Sequence, residues 1–130
     1  MTAVIDSCGW ISWLAADAHA GKWAPYLQEP DAILVPTIVL CEVVRWMQRE
    51  RGETAALIVA GHMQQCRIVP LEAHVAVLAA SIGLQHRLAM ADALIYAHAR
   101  VEGAALVTSD AHFRGLAGVQ HVGDPETSPA

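Results

Sequence analysis

Residues 2–16, TAVIDSCGWISWLAA, pass from a short apolar run into a longer one with helical spacing, and a carboxylate, Asp6, stands at the junction. The run TAVID predicts a strand near residues 2–6, and the stretch after it predicts a helix over about 8–16. The same grammar recurs along the chain. Further strands are expected near 32–35 (AILV), 67–70 (RIVP) and 104–108 (AALVT), with a short edge strand around 119–122. Helical stretches fall between them at about 20–29, 37–50, 53–65, 72–86 and 91–102. Short, almost wholly apolar strands alternating with helices predict an α/β domain with a parallel sheet buried on both faces. Local punctuation agrees with this reading: Ser7 and Thr37 are candidate N-caps, Gly52 separates two helices of a hairpin, and Gly103 stops the helix before the fourth strand.

A chain of 130 residues with 55% hydrophobic content suits one domain with one core, expected over residues 1–122. Residues 123–130, GDPETSPA, carry two prolines and no apolar periodicity and are expected to form a frayed tail. No run of about 18 apolar residues is present and no basic region leads into a signal-like stretch, so a cytoplasmic protein with no membrane association is expected. Cys8, Cys41 and Cys66 are odd in number and form no CxxC pair, which predicts reduced, buried thiols. A formal charge of −5 argues against a domain that wraps nucleic acid electrostatically. A local patch is still available from seven arginines, against the single Lys22. The planar guanidinium is the better match to phosphate.

Four acids lie in or beside apolar runs, where a carboxylate is costly without compensation: Asp6 ends AVID, Glu42 interrupts LCEVV, Asp92 opens ADALIYA, and Asp110 follows ALVTS. Asp6 and Asp110 fall at the carboxyl ends of strands, where open α/β sheets form their binding crevices. Glu42 and Asp92 fall early in helices that lead into or out of the same sheet. Four carboxylates brought together repel one another unless divalent cations neutralise them, and all-oxygen ligation points to Mg²⁺ or Mn²⁺. Such a site can orient and deprotonate water for in-line attack on phosphorus. Each acid also has an ordinary alternative. Asp6 and Asp110 suit helix N-caps, Asp92 suits a helix N-terminal dipole, and Glu42 suits an ion-pair ladder with Arg45 and Arg49. The seven histidines show neither HExxH spacing nor pairing with cysteines, and no GxGxxG, GxxxxGK[ST] or GxSxG motif occurs. Trp10, Trp13, Trp23 and Trp46 are apt for stacking on bases, but their apolar helical neighbours favour core or interface positions.

In the segments VIDSCGWISWL, PTIVLCEVVR, HRLAMADALIYAHAR and ALVTSDAHFRGLAGV the chain resembles the PIN-domain ribonucleases, and among them the VapC-type toxins of toxin–antitoxin pairs. The resemblance runs over about residues 3–122. It implies a three-layer α/β/α fold with a central, mostly parallel sheet of four to five short strands. It also implies Mg²⁺- or Mn²⁺-dependent endoribonuclease activity on RNA, a cognate antitoxin, and a homodimer. The family's acidic positions fall on Asp6, Glu42, Asp92 and Asp110, and Ser7 and Thr108 match hydroxyls that hold a carboxylate or a water in place. Many relatives carry a further acid two residues after the last aspartate; here that residue is His112. Arg45, Arg49, Arg87 and Arg114 are candidates for gripping the RNA backbone, because they lie near these acids in sequence. A rival reading is a catalytically inactive module that keeps the fold and binds RNA or protein. A phospho-accepting receiver domain would resemble this pattern too, but that mechanism requires a late lysine and the chain has only Lys22.

Overall fold

The structure, a computed structural model, describes residues 2–122. The expected tail at 123–130 lies outside the described residues. Five strands are present: β1 (Ala3–Ile5), β2 (Ile33–Pro36), β3 (Arg67–Val69), β4 (Ala105–Thr108) and β5 (Val119–His121). Six α-helices connect them: α1 (Ser7–Leu14), α2 (Ala20–Leu27), α3 (Thr37–Arg51), α4 (Glu53–Met63), α5 (Ala73–His86) and α6 (Met90–Glu102). All strand pairings are parallel, in the order β3-β2-β1-β4-β5. Among the described residues this is the α/β/α arrangement expected, with five strands and no antiparallel member.

The strand order places the site. From β1 the chain steps outward through β2 to β3, then returns to the other side of β1 and steps outward again through β4 to β5. Connections leaving β1 and β4 therefore diverge, and the gap between them is the switch point where open parallel sheets bind ligands. Asp6 directly follows β1 and is tied to β4 by its backbone N–H, which donates to the Val107 carbonyl at 3.0 Å.

The core is filled from both faces of the sheet. Val4, Ile5, Val35, Leu106 and Val107 are fully buried, as are Val39 and Val43 of α3 and Ile95 of α6. Trp10 and Trp23 belong to this core, while Trp13 and Trp46 are half-buried against it. Gly9 lets α1 and α2 meet: a Cβ built there would clash with Cε3 and Cζ3 of the Trp23 ring and fall 2.9 Å from Ile5 Cγ2.

Several local expectations are corrected. Asp6, not Ser7, caps α1: its backbone is extended (φ −61°, ψ 155°) and its carboxylate accepts from the Ser7 N–H at 2.8 Å. Thr37 is already helical, and Pro36 occupies the cap position with no side-chain hydrogen bond. All three cysteines are free, but only Cys66 is buried; Cys8 is half-buried and Cys41 exposed. Gly52 and Gly103 do break their helices, with φ of +93° and +65°.

Candidate metal centre

A single hydrogen-bonded chain threads the switch-point crevice. At one end, Ser7 Oγ donates to Glu42 Oε1 at 3.1 Å and lies 3.4 Å from Asp6 Oδ1. A hydroxyl has one proton, so the shorter contact with Glu42 is its better donation. In the middle, the fully buried Thr108 donates its hydroxyl to Asp6 Oδ2 at 2.8 Å and accepts the Asp110 N–H at 3.0 Å. One hydroxyl thus ties together the two acids that follow β1 and β4. At the other end, Asp110 Oδ1 accepts the His112 N–H at 2.9 Å and lies 2.7 Å from His112 Nδ1. Asp110 is also the cap of a 3-10 turn at Ala111–Phe113. For both strand-end aspartates, capping and membership of the cluster hold together, since one carboxylate oxygen can cap while the other faces the crevice.

Asp92 enters from the first turn of α6 and makes no hydrogen bond in this chain, yet it is electrostatically part of it. Burial holds Asp92 above the ordinary carboxylate range, the nearby Asp110 and Asp6 charges raise it further, and His112 lowers it. Glu42 is raised by burial and by Asp6 and Asp92, against the Ser7 hydrogen bond. Asp6 is raised by burial, against hydrogen bonds from Thr108, Ser7 and Cys8, with Asp110 adding repulsion. Among the acids, Asp92, Asp110 and Glu42 are half-exposed and Asp6 is buried. Ligand atoms of Asp92, Asp110 and His112 all lie within 4.8 Å of one another, the one such group able to hold a metal ion among the described residues. Asp6 and Glu42 fall outside that trio and reach its acids through charge and through the Thr108 bridge. The donor set fits a divalent cation: clustered carboxylates whose ionisation is opposed by burial and mutual repulsion are what a dication relieves.

The ion-pair ladder on α3 does not form. Among the described residues none of Arg45, Arg49 or Arg87 pairs with the four acids, and Arg49 instead meets Glu50 at 3.3 Å. Arg45, Arg49, Arg87 and Arg114 are all exposed, and Arg87 closes α5 in the left-handed conformation (φ 55°). Cys8 is a neighbour that sequence reasoning missed. Its thiol lies 3.6 Å from Asp6 Oδ2, accepts from Ser109 Oγ at 3.3 Å, and is pushed up by burial and by the Asp6 charge. Nothing in its apolar sequence setting signalled this contact.

Fold and site together define a class: an open, all-parallel α/β protein whose switch-point crevice is walled by carboxylates. The family model of the PIN domain matches residues 3–119, and the chain belongs to that family. Comparison with curated proteins gives no match in sequence. Among solved structures, the chain is similar to a toxin–antitoxin complex from Klebsiella pneumoniae, with 19% identity, TM-score 0.79, and coverage of 92% of this chain and 96% of the other. VapC20 of Mycobacterium tuberculosis, described as a toxin cleaving the sarcin–ricin loop, is 22% identical with TM-score 0.67 over 79% of this chain and 85% of its own. VapBC2 from Rickettsia felis, bound to a promoter DNA fragment, is 16% identical with TM-score 0.73 over 95% and 100%. At these identities the likeness establishes a shared fold. No helix among the described residues is long and apolar enough to cross a membrane.

Proposed function

We propose that the chain is a metal-dependent endoribonuclease that hydrolyses RNA phosphodiester bonds, and that it is the VapC-type toxin of a toxin–antitoxin pair. The observation that carries this reading is the tying of Asp6, Glu42 and Asp110 by the Ser7 and Thr108 hydroxyls at the switch point, with Asp92 within reach of their charges. Asp92, Asp110 and His112 offer the closest donors, with Asp6 and Glu42 beside them, for Mg²⁺ or Mn²⁺. A bound divalent cation supplies charge neutralisation and activation of water and phosphate.

The chain's own residues do the positioning. Thr108 and the Ser7 N–H fix both oxygens of Asp6, so its carboxylate meets a ligand without reorganisation. Ser7 holds Glu42 in the crevice, where its carboxylate can accept a proton from water. The exposed Arg45 and Arg49, three and seven residues after Glu42 along α3, are placed to meet the RNA backbone, with Arg87 and Arg114 as further contacts. A cytoplasmic homodimer held in check by an antitoxin completes the proposal, supported by the toxin–antitoxin assemblies among its structural relatives.

Asp6→Asn and Asp92→Asn each abolish divalent-dependent RNA cleavage in this reading while circular dichroism and the melting temperature show a retained fold. Full cleavage by either variant overturns it.

A further inference from the structure

The residue that departs from the all-acid pattern, His112, lies in the close group of donors with Asp92 and Asp110. We propose that His112 is itself a ligand of the cation at this site, giving a mixed carboxylate and imidazole donor set that selects a first-row transition ion over Mg²⁺. The inference rests on the proposed reading that the site holds a cation.

Three observations carry it. First, the His112 ring meets Asp92 and Asp110 within a span of 4.8 Å, from two separate elements, α6 and the turn after β4. Donors bound to one octahedral ion at about 2.1 Å sit at most about 4.2 Å apart, so only a small inward adjustment is needed. Second, the ring is free to make that adjustment, because the His112 side chain is 72% exposed and packs into no core. Third, capping does not account for the ring's position. The His112 backbone N–H already satisfies Asp110 Oδ1 at 2.9 Å, so the additional 2.7 Å approach of Nδ1 to the same oxygen serves no cap. That contact turns one edge of the exposed imidazole toward Asp110.

The chemical consequence follows from donor type. Mg²⁺ is a hard ion that takes oxygen and keeps its waters, and a nitrogen donor gains it little. First-row divalent ions bind imidazole progressively better from Mn²⁺ toward Cu²⁺. Replacing an acid by a neutral imidazole also removes one negative charge, the feature that would favour Mg²⁺ on electrostatic grounds alone.

The test uses the whole chain stripped of metal, with Mn²⁺ and Mg²⁺ as probes. Pulsed electron paramagnetic resonance of the Mn²⁺-loaded protein should show modulation from a directly bound imidazole nitrogen, lost in both His112→Ala and His112→Asp. Calorimetric titration should show a preference of the wild type for Mn²⁺ over Mg²⁺ that falls by about tenfold or more in His112→Asp, a variant that keeps a donor but makes the set all oxygen. Mn²⁺ bound without nitrogen modulation, or an unchanged preference in His112→Asp, overturns the inference and leaves the proposed function standing. A wild type that binds neither ion overturns both.

Discussion

Asp6 spends nearly all its hydrogen-bonding capacity inside the protein, accepting from the Ser7 N–H, the Thr108 hydroxyl and the Cys8 thiol. These bonds orient it, but burial still raises its affinity for protons, and the same direction holds for Glu42 and Asp92. An acid whose folded pKa is raised leaves the folded chain holding more protons than the unfolded one. Stability from the cluster is therefore present below the ordinary carboxylate range near pH 4 and is lost as pH rises through the raised values. Metal-free protein should accordingly gain more in melting temperature from Asp6→Asn at about pH 8 than at about pH 5. An equal gain at both would remove the electrostatic account of the site. Thr108→Val tests the bridging hydroxyl: it keeps the shape while stripping a donor from Asp6 and an acceptor from the Asp110 N–H. Chemical denaturation should show a loss of about 1–3 kcal/mol, and an unchanged stability would mean that water replaces the hydroxyl.

At the scale of elements, α1 decides whether the crevice is shaped correctly, because Asp6, Ser7 and Cys8 form its start and Gly9 sets how closely it approaches α2. Gly9→Ala should destabilise by about 1–3 kcal/mol through overpacking against Trp23 and Ile5; urea unfolding at full stability would show that Trp23 moves aside easily. Strands and helices were legible because their apolar runs are short and continuous or long and helically spaced, and their ends lie within about two residues of expectation. Caps were less so. Ser7 and Thr37 have the right chemistry for N-caps, but extended backbone at Asp6 and Pro36 shifts each cap one residue earlier. Of the site, Asp6 and Asp110 could be read from strand ends. The approach of the His112 ring and of the Cys8 thiol depends on turn geometry, which leaves no periodic trace in sequence.

For the molecule as a whole, large apolar side chains stand exposed on α4, α5 and α6. Leu57 and Ile58 stand exposed on α4, and Val77 and Leu84 on α5, beside an apolar groove lined by Leu71, Leu88 and Met90. On α1, by contrast, Trp10 is buried and Trp13 is half-buried against the core. Exposed apolar surface lining a groove is where partners bind. Expression of the chain alone should arrest growth of a host, and co-expression with its neighbouring reading frame should relieve the arrest; equal growth in both cases would count against a toxin.

The strand order carries a further consequence for synthesis. Asp6 is completed by Thr108, 102 residues later, because β1 pairs with β4 in the middle of the sheet. A ribosome must therefore deliver everything from β1 through β4 before the crevice can close. Nascent chains that have not yet reached β4 carry the first aspartate without Thr108 and Asp110, so the proposed activity is absent until β4 has emerged and joined β1.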